Sequence, residues 1–166
     1  LTADIKIRLI AELSHASGTY GMVGGQMLDM KGEECKLSLS ELQLIHSNKT
    51  GKLLTFPVVA AGIVAGVEDE ELANLRKTGS LIGLAFQVRD DILDVTASFE
   101  EIGKTPKKDL LADKATYPSL LGLDKSYEIL NQSLDQALAI FKNLSVTHGL
   151  HAEKITEMIE RLRLNA

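Results

Sequence analysis

The stretch Phe86-Gln87-Val88-Arg89-Asp90-Asp91-Ile92-Leu93-Asp94 puts three carboxylates inside an otherwise apolar run. At about 100° per residue, Asp90 and Asp94 fall about 40° apart on one helix face, with Gln87 one turn upstream, while Asp91 is turned away by about 100°. Two carboxylates one turn apart are hard oxygen donors. Mg²⁺ suits such a pair when phosphate and water complete its octahedron, because it seldom takes an all-protein cage. The same charges can also be read as a solvated acidic face at a helix end. The flanking Leu84, Ala85, Val88, Ile92, Leu93 and Val95 weigh against that wet exterior, since carboxylates on a core helix need a cation or a water-filled cavity.

Cations lie on both sides of the acids. Lys49-Thr50-Gly51 stands upstream, and Lys104, Lys107, Lys108 and Lys114 follow. An ammonium brings a point charge with three donors and threonine brings a hydroxyl, and both are ordinary phosphate partners. Acids for a metal and lysines for an oxyanion fit a polyanionic ligand bound through magnesium. Lys107 and Lys108 read more simply as solvated loop lysines, so Lys49 and Lys104 carry the proposal. The small-sided stretch containing Gly18, Gly21, Gly24 and Gly25 allows either a closely packed neighbouring helix or clearance for a ligand, as each glycine costs about 1 kcal/mol inside a helix. The four histidines show no metal-ligand spacing, and Cys35 is given no role.

Helices must position these groups. Apolar spacing predicts a first helix over 3–30, a second from the Ser38/Glu41 capping signature through 67 with a kink at Pro57, and a third over 69–97. A long irregular stretch over 98–117 precedes a short helix opened by Pro118, and helices over 125–144 and 151–164 complete an all-α bundle. With 166 residues, 45% of them hydrophobic and 25% charged, the chain suits one globular domain. A net charge of −5, 4% aromatics and no Trp argue against nucleic acid as a partner. A single cysteine forms no internal disulfide and suits a reducing, cytoplasmic compartment. The longest apolar run, 56–67, is broken by Pro57, Gly62 and Gly66 and is shorter than the roughly 20 residues of a membrane span.

Taken in order, Gly24-Gly25-Gln26-Met27-Leu28-Asp29, Lys49-Thr50-Gly51, Gly83-Leu84-Ala85-Phe86-Gln87 running on through Asp94, Gly103-Lys104, Asp109 and Lys114-Ala115-Thr116-Tyr117-Pro118 make the chain resemble the C-terminal part of a trans-isoprenyl diphosphate synthase, nearest to the bacterial farnesyl diphosphate (geranyltrans-) type. The resemblance implies an all-α bundle of long helices around a central cavity and a homodimer of the intact protein. It also implies condensation of an allylic diphosphate (dimethylallyl or geranyl) with isopentenyl diphosphate to a farnesyl or similar short chain, with Mg²⁺ as cofactor and Mn²⁺ as the alternative ion. Carried over by position, it implies that Asp90 binds the metal directly, with Asp94 and Asp91 supporting it, and that Lys49 and Lys104 contact the allylic diphosphate. Thr50 and Gln87 would place the allylic chain and its cation, Gln26 and Asp29 would face the same cavity, and Phe86 would touch the isopentenyl group. The family's first aspartate-rich motif is missing from this sequence, and Leu1 stands where a start methionine would. The expectation is therefore the second half of one synthase domain, with little or no activity alone. A non-catalytic prenyl-synthase-like subunit and a class I terpene cyclase are the rival readings.

Overall fold

The computed structural model describes residues 1–33, 35–96, 115–148 and 152–164. Lys104, Gly103, Asp109, Lys107, Lys108 and Lys114 lie outside the described residues. Among the described residues the chain is helical without strands: α1 (Ala3–Ser17), α2 (Met22–Gly32), α3 (Leu39–His46), a π turn (Ser47–Gly51), α4 (Lys52–Ala65), α5 (Asp69–Thr96), α6 (Tyr117–Leu121), α7 (Leu123–His148) and α8 (Glu153–Glu160).

The single first helix expected over 3–30 is two helices. Gly18 leaves the helical region (φ −76°, ψ −160°) while its N–H donates to the Ser14 carbonyl, and α2 restarts after Gly21. The cluster of glycines lowers the cost of breaking the helix at this point. The second predicted helix is also interrupted, though not first at proline. Five residues, Ser47–Gly51, are wound as a π turn between α3 and α4, and α4 then continues through Pro57. Single π turns of this kind often mark functional positions, and this one carries Lys49 and Thr50. The capping signature is present: the Ser38 N–H donates to Glu41 Oε2 at 2.8 Å and the Glu41 N–H donates to Ser38 Oγ at 3.4 Å.

The core has two parts. Ala85, Val88 and Ile92 on one face of α5 form a cluster with Leu130 and Leu134 of α7, Leu42 of α3, Tyr117 of α6 and Ile159 of α8. Buried side chains at Leu130, Leu134, Ala137, Phe141 and Leu144 recur at helical spacing along α7, giving it one continuous apolar face. Val59 and Ile63 of α4 and Leu72 of α5 form the second cluster, against which Ile5 and Leu9 of α1 pack. The Arg76 guanidinium ties α5 to α1, donating from Nη1 to Glu12 Oε2 at 3.0 Å and from Nη2 to Glu12 Oε1 at 2.6 Å. Those bonds hold the Glu12 carboxyl below the usual carboxylate range. Solvent reaches both ends, so the pair contributes only about 0.5 kcal/mol.

Candidate active site

The site is built where α2, the π turn and α5 meet. Gly25 lets α2 come down onto the turn: a Cβ there would lie 2.2 Å from the Lys49 nitrogen and 2.6 Å from its Cα. Of the two uses open to the small-sided stretch, the neighbouring element accounts for Gly25. One turn further along α2, on the same face, Asp29 is 7% exposed, and its Oδ2 accepts a hydrogen bond from Lys49 Nζ at 2.5 Å. A cation and a buried carboxylate 20 residues apart in sequence are thus paired. The pair fixes the lysine stem and reduces its freedom.

On its other side the turn meets α5. A Cβ on Gly83 would lie 3.0 Å from the Gly51 Cα, so only small residues allow this approach. Thr50 precedes Gly51 on the turn, and Gln87 lies one turn beyond Gly83 on α5. From there Gln87, Asp90 and Asp94 continue along the stripe that Gly83 begins, all within an arc of about 60° around the helix. The opposite face carries Ala85, Val88 and Ile92, each 0% exposed, which aims the stripe away from α7. Asp90 is exposed, Gln87 half-buried and Asp94 buried. Phe86 is 39% exposed, and Gln26 is exposed on α2, one turn before Asp29.

Asp91 sits apart from Asp90 and Asp94. Its Oδ2 accepts the Tyr117 N–H at 2.8 Å. Tyr117 opens α6, where Thr116 and Ser119 cap each other: the Ser119 N–H donates to Thr116 Oγ1 at 3.2 Å and the Thr116 N–H donates to Ser119 Oγ at 2.9 Å. The Tyr117 ring is fully buried, with its centroid 5.8 Å from that of His46 at the end of α3. Burial foremost, then the Asp91 charge, push the Tyr117 phenol up to about 12, with Gln43 acting in the other direction. Tyr117 was legible as part of a motif but not as a wedge, because its partners come from three other elements. Its advance signal was its place in Lys114-Ala115-Thr116-Tyr117-Pro118, just ahead of the short helix opened by Pro118.

Asp90 and Asp94 are oxygen donors on one face at the helix end. Among the described residues no group of three His, Cys, Asp or Glu side chains comes together to hold an ion. Two carboxylates alone make at most part of a Mg²⁺ coordination shell, which needs further oxygens from water or phosphate. A cavity of about 660 Å³ lies between α1, α3, the π turn, α4 and α5, lined by Ala16, His46, Gly51, Thr55 and Gly83 among others, while Asp29, Lys49, Thr50, Gln87, Asp90 and Asp94 are not among its lining residues. Its size falls within the range of small-molecule pockets.

The family model described as Polyprenyl synthetase matches residues 3–156. The chain belongs to the polyprenyl synthetase family. The farnesyl diphosphate synthase of Micrococcus luteus is 48% identical over 161 residues, covering 97% of this chain and 55% of that protein. A chloroplastic geranylgeranyl pyrophosphate synthase of Catharanthus roseus is 48% identical over 139 residues, covering 81% of this chain and 39% of the relative. Among solved structures, a geranyltransferase of Helicobacter pylori complexed with magnesium and isoprenyl diphosphate superposes with a TM-score of 0.84 at 34% identity, over 98% of this chain and 53% of that one. The all-α fold expected from the sequence is therefore the fold of this polyprenyl synthetase chain, which spans about half the length of the relatives it matches. No helix among the described residues is long and apolar enough to cross a membrane.

Proposed function

We propose that this chain is the C-terminal part of a prenyltransferase of the farnesyl diphosphate synthase type, and that it carries one wall of the diphosphate site. The observation that carries this reading is the Lys49–Asp29 pair, set on a π turn that packs against α5 through Gly51 and Gly83, two turns before Asp90 on the same helix. Asp90 and Asp94 would hold Mg²⁺, which when bound neutralises and polarises a diphosphate leaving group. Lys49 would contact the diphosphate oxygens from the turn. Thr50 and Gln87 would line the path of the allylic chain. Stabilisation of the leaving charge would then come from groups already oriented, which is where such sites gain most of their rate.

Allylic and isopentenyl diphosphates are the proposed substrates, and a farnesyl chain is the proposed product. The geranylgeranyl relative at 48% identity supports a longer chain as the second reading. The intact protein is proposed to be a homodimer. Exposed apolar residues on α1 and α2, including Ile7, Ile10, Val23 and Met27, offer faces for the rest of the protein and for a second copy.

A chimera tests the reading. The N-terminal part of the Micrococcus luteus synthase is joined to this chain in place of its own C-terminal part and given geranyl and labelled isopentenyl diphosphates. Farnesyl diphosphate is expected from the chimera, with little or no turnover from the 166-residue chain alone. A folded chimera that makes no prenyl product, or a chain that turns over unaided, contradicts the reading.

A further inference from the structure

The resemblance assigns all three aspartates of the acidic run to the metal, yet Asp91 is committed to a different task. It is 7% exposed, lies about 60° around α5 from Asp94, and its Oδ2 takes the Tyr117 N–H in a buried bond spanning 26 residues. The first N–H groups of a helix have no partner within it, and a buried one must find an acceptor elsewhere. Thr116 Oγ1 serves Ser119, and Asp91 serves Tyr117. Tyr117 in turn fills the space between α5 and α3, fully buried, with its ring against His46. His46 is the last residue of α3, and the π turn with Lys49 and Thr50 begins at the next residue. A continuous set of contacts therefore runs from the acidic helix through α6 to His46, the residue that directly precedes the turn.

We propose that Asp91 is a positioning residue and not a metal ligand: its carboxylate fixes Tyr117, and through Tyr117 and His46 it sets the π turn that presents Lys49. The effect on ligand binding rests on the diphosphate-site reading above, whereas the tie to Tyr117 is a property of the unliganded chain.

Asn and Ala separate the two roles. Asn keeps an acceptor oxygen and loses the charge, while Ala loses both. In the 166-residue chain, Asp91→Asn is expected to leave Tyr117 amide exchange within about threefold of the unmodified chain. The affinity for inorganic pyrophosphate and the magnesium midpoint should both stay within about twofold, because one hydrogen bond is exchanged for a weaker one. Asp91→Ala is expected to speed Tyr117 exchange at least thirtyfold and weaken pyrophosphate about tenfold, by loss of a buried hydrogen bond. Added to Lys49→Ala, Asp91→Ala should weaken pyrophosphate no further, since residues acting through one group are non-additive. An additive loss would mark Asp91 as mere scaffold and overturn the proposal. So would an Asp91→Asn variant whose magnesium midpoint moves tenfold or more while the Tyr117 amide stays protected, the behaviour of a ligand. If the unmodified chain binds no pyrophosphate with magnesium, the diphosphate reading fails. If Tyr117 exchanges equally fast in the unmodified and Asp91→Ala chains, the tie itself fails.

Discussion

Asp90→Asn is expected to weaken magnesium-dependent pyrophosphate binding by about ten- to a hundredfold while changing unfolding free energy by no more than about 0.5 kcal/mol. Asp90 stands exposed on the acidic stripe near the end of α5, so an isosteric amide there costs little packing. The amide removes the charge that attracts the ion and leaves a much poorer oxygen donor. Asp94 is 6% exposed, and its substitution would mix a folding cost into the reading, which makes Asp90 the cleaner probe. Calorimetric titration with pyrophosphate at fixed magnesium, beside thermal unfolding of both chains, separates the two effects. Equal magnesium-dependent affinity in the two chains would remove Asp90 from the metal site.

Lys49→Ala is expected to act on both stability and binding. The Lys49–Asp29 bond joins the π turn to α2, with the carboxylate buried and the lysine side chain 35% exposed. Breaking a fully buried ion pair costs about 3–5 kcal/mol, and partial exposure brings the expected loss here to about 2 kcal/mol. Binding should fall about tenfold even with magnesium saturating, the loss of one charge-assisted contact to phosphate. A variant that keeps its stability but loses binding would place Lys49 on the ligand alone, with Asp29 contributing nothing to its hold. A variant that loses stability but keeps its affinity would remove Lys49 from the ligand and leave a structural pair.

The parts of the site that depend on spacing along one helix were legible in the sequence. Asp90, Asp94 and Gln87 share a face because of helical periodicity alone, and the long apolar flanks of α5 already required a central helix. The break at Gly18 was harder to place, because a run of small residues lowers helix preference over several positions without marking which one yields. The π turn has no compositional signature at all: Ser47–Gly51 differs from its neighbours in hydrogen-bond register, which tertiary packing of α2 and α5 against it selects. Asp29 with Lys49, and Asp91 with Tyr117, are pairings across 20 and 26 residues. Asp91 was visible as chemistry in the acidic run, whereas Asp29 entered only through resemblance, which placed it beside the ligand and Asp91 beside the ion. The fold places a partner against each of them first, and those partners hold the elements that carry Lys49 and Thr50.

The proposal depends above all on whether this half-length chain reads a diphosphate through a divalent ion. Calorimetric titration of the unmodified chain with inorganic pyrophosphate, with magnesium present and then with the ion chelated, tests that directly. Binding should be measurable with magnesium and at least tenfold weaker once it is removed, because Lys49 is already paired with Asp29 and the acidic stripe repels the free anion. Affinity that is the same with and without the ion would contradict a metal-bridged diphosphate site on α5.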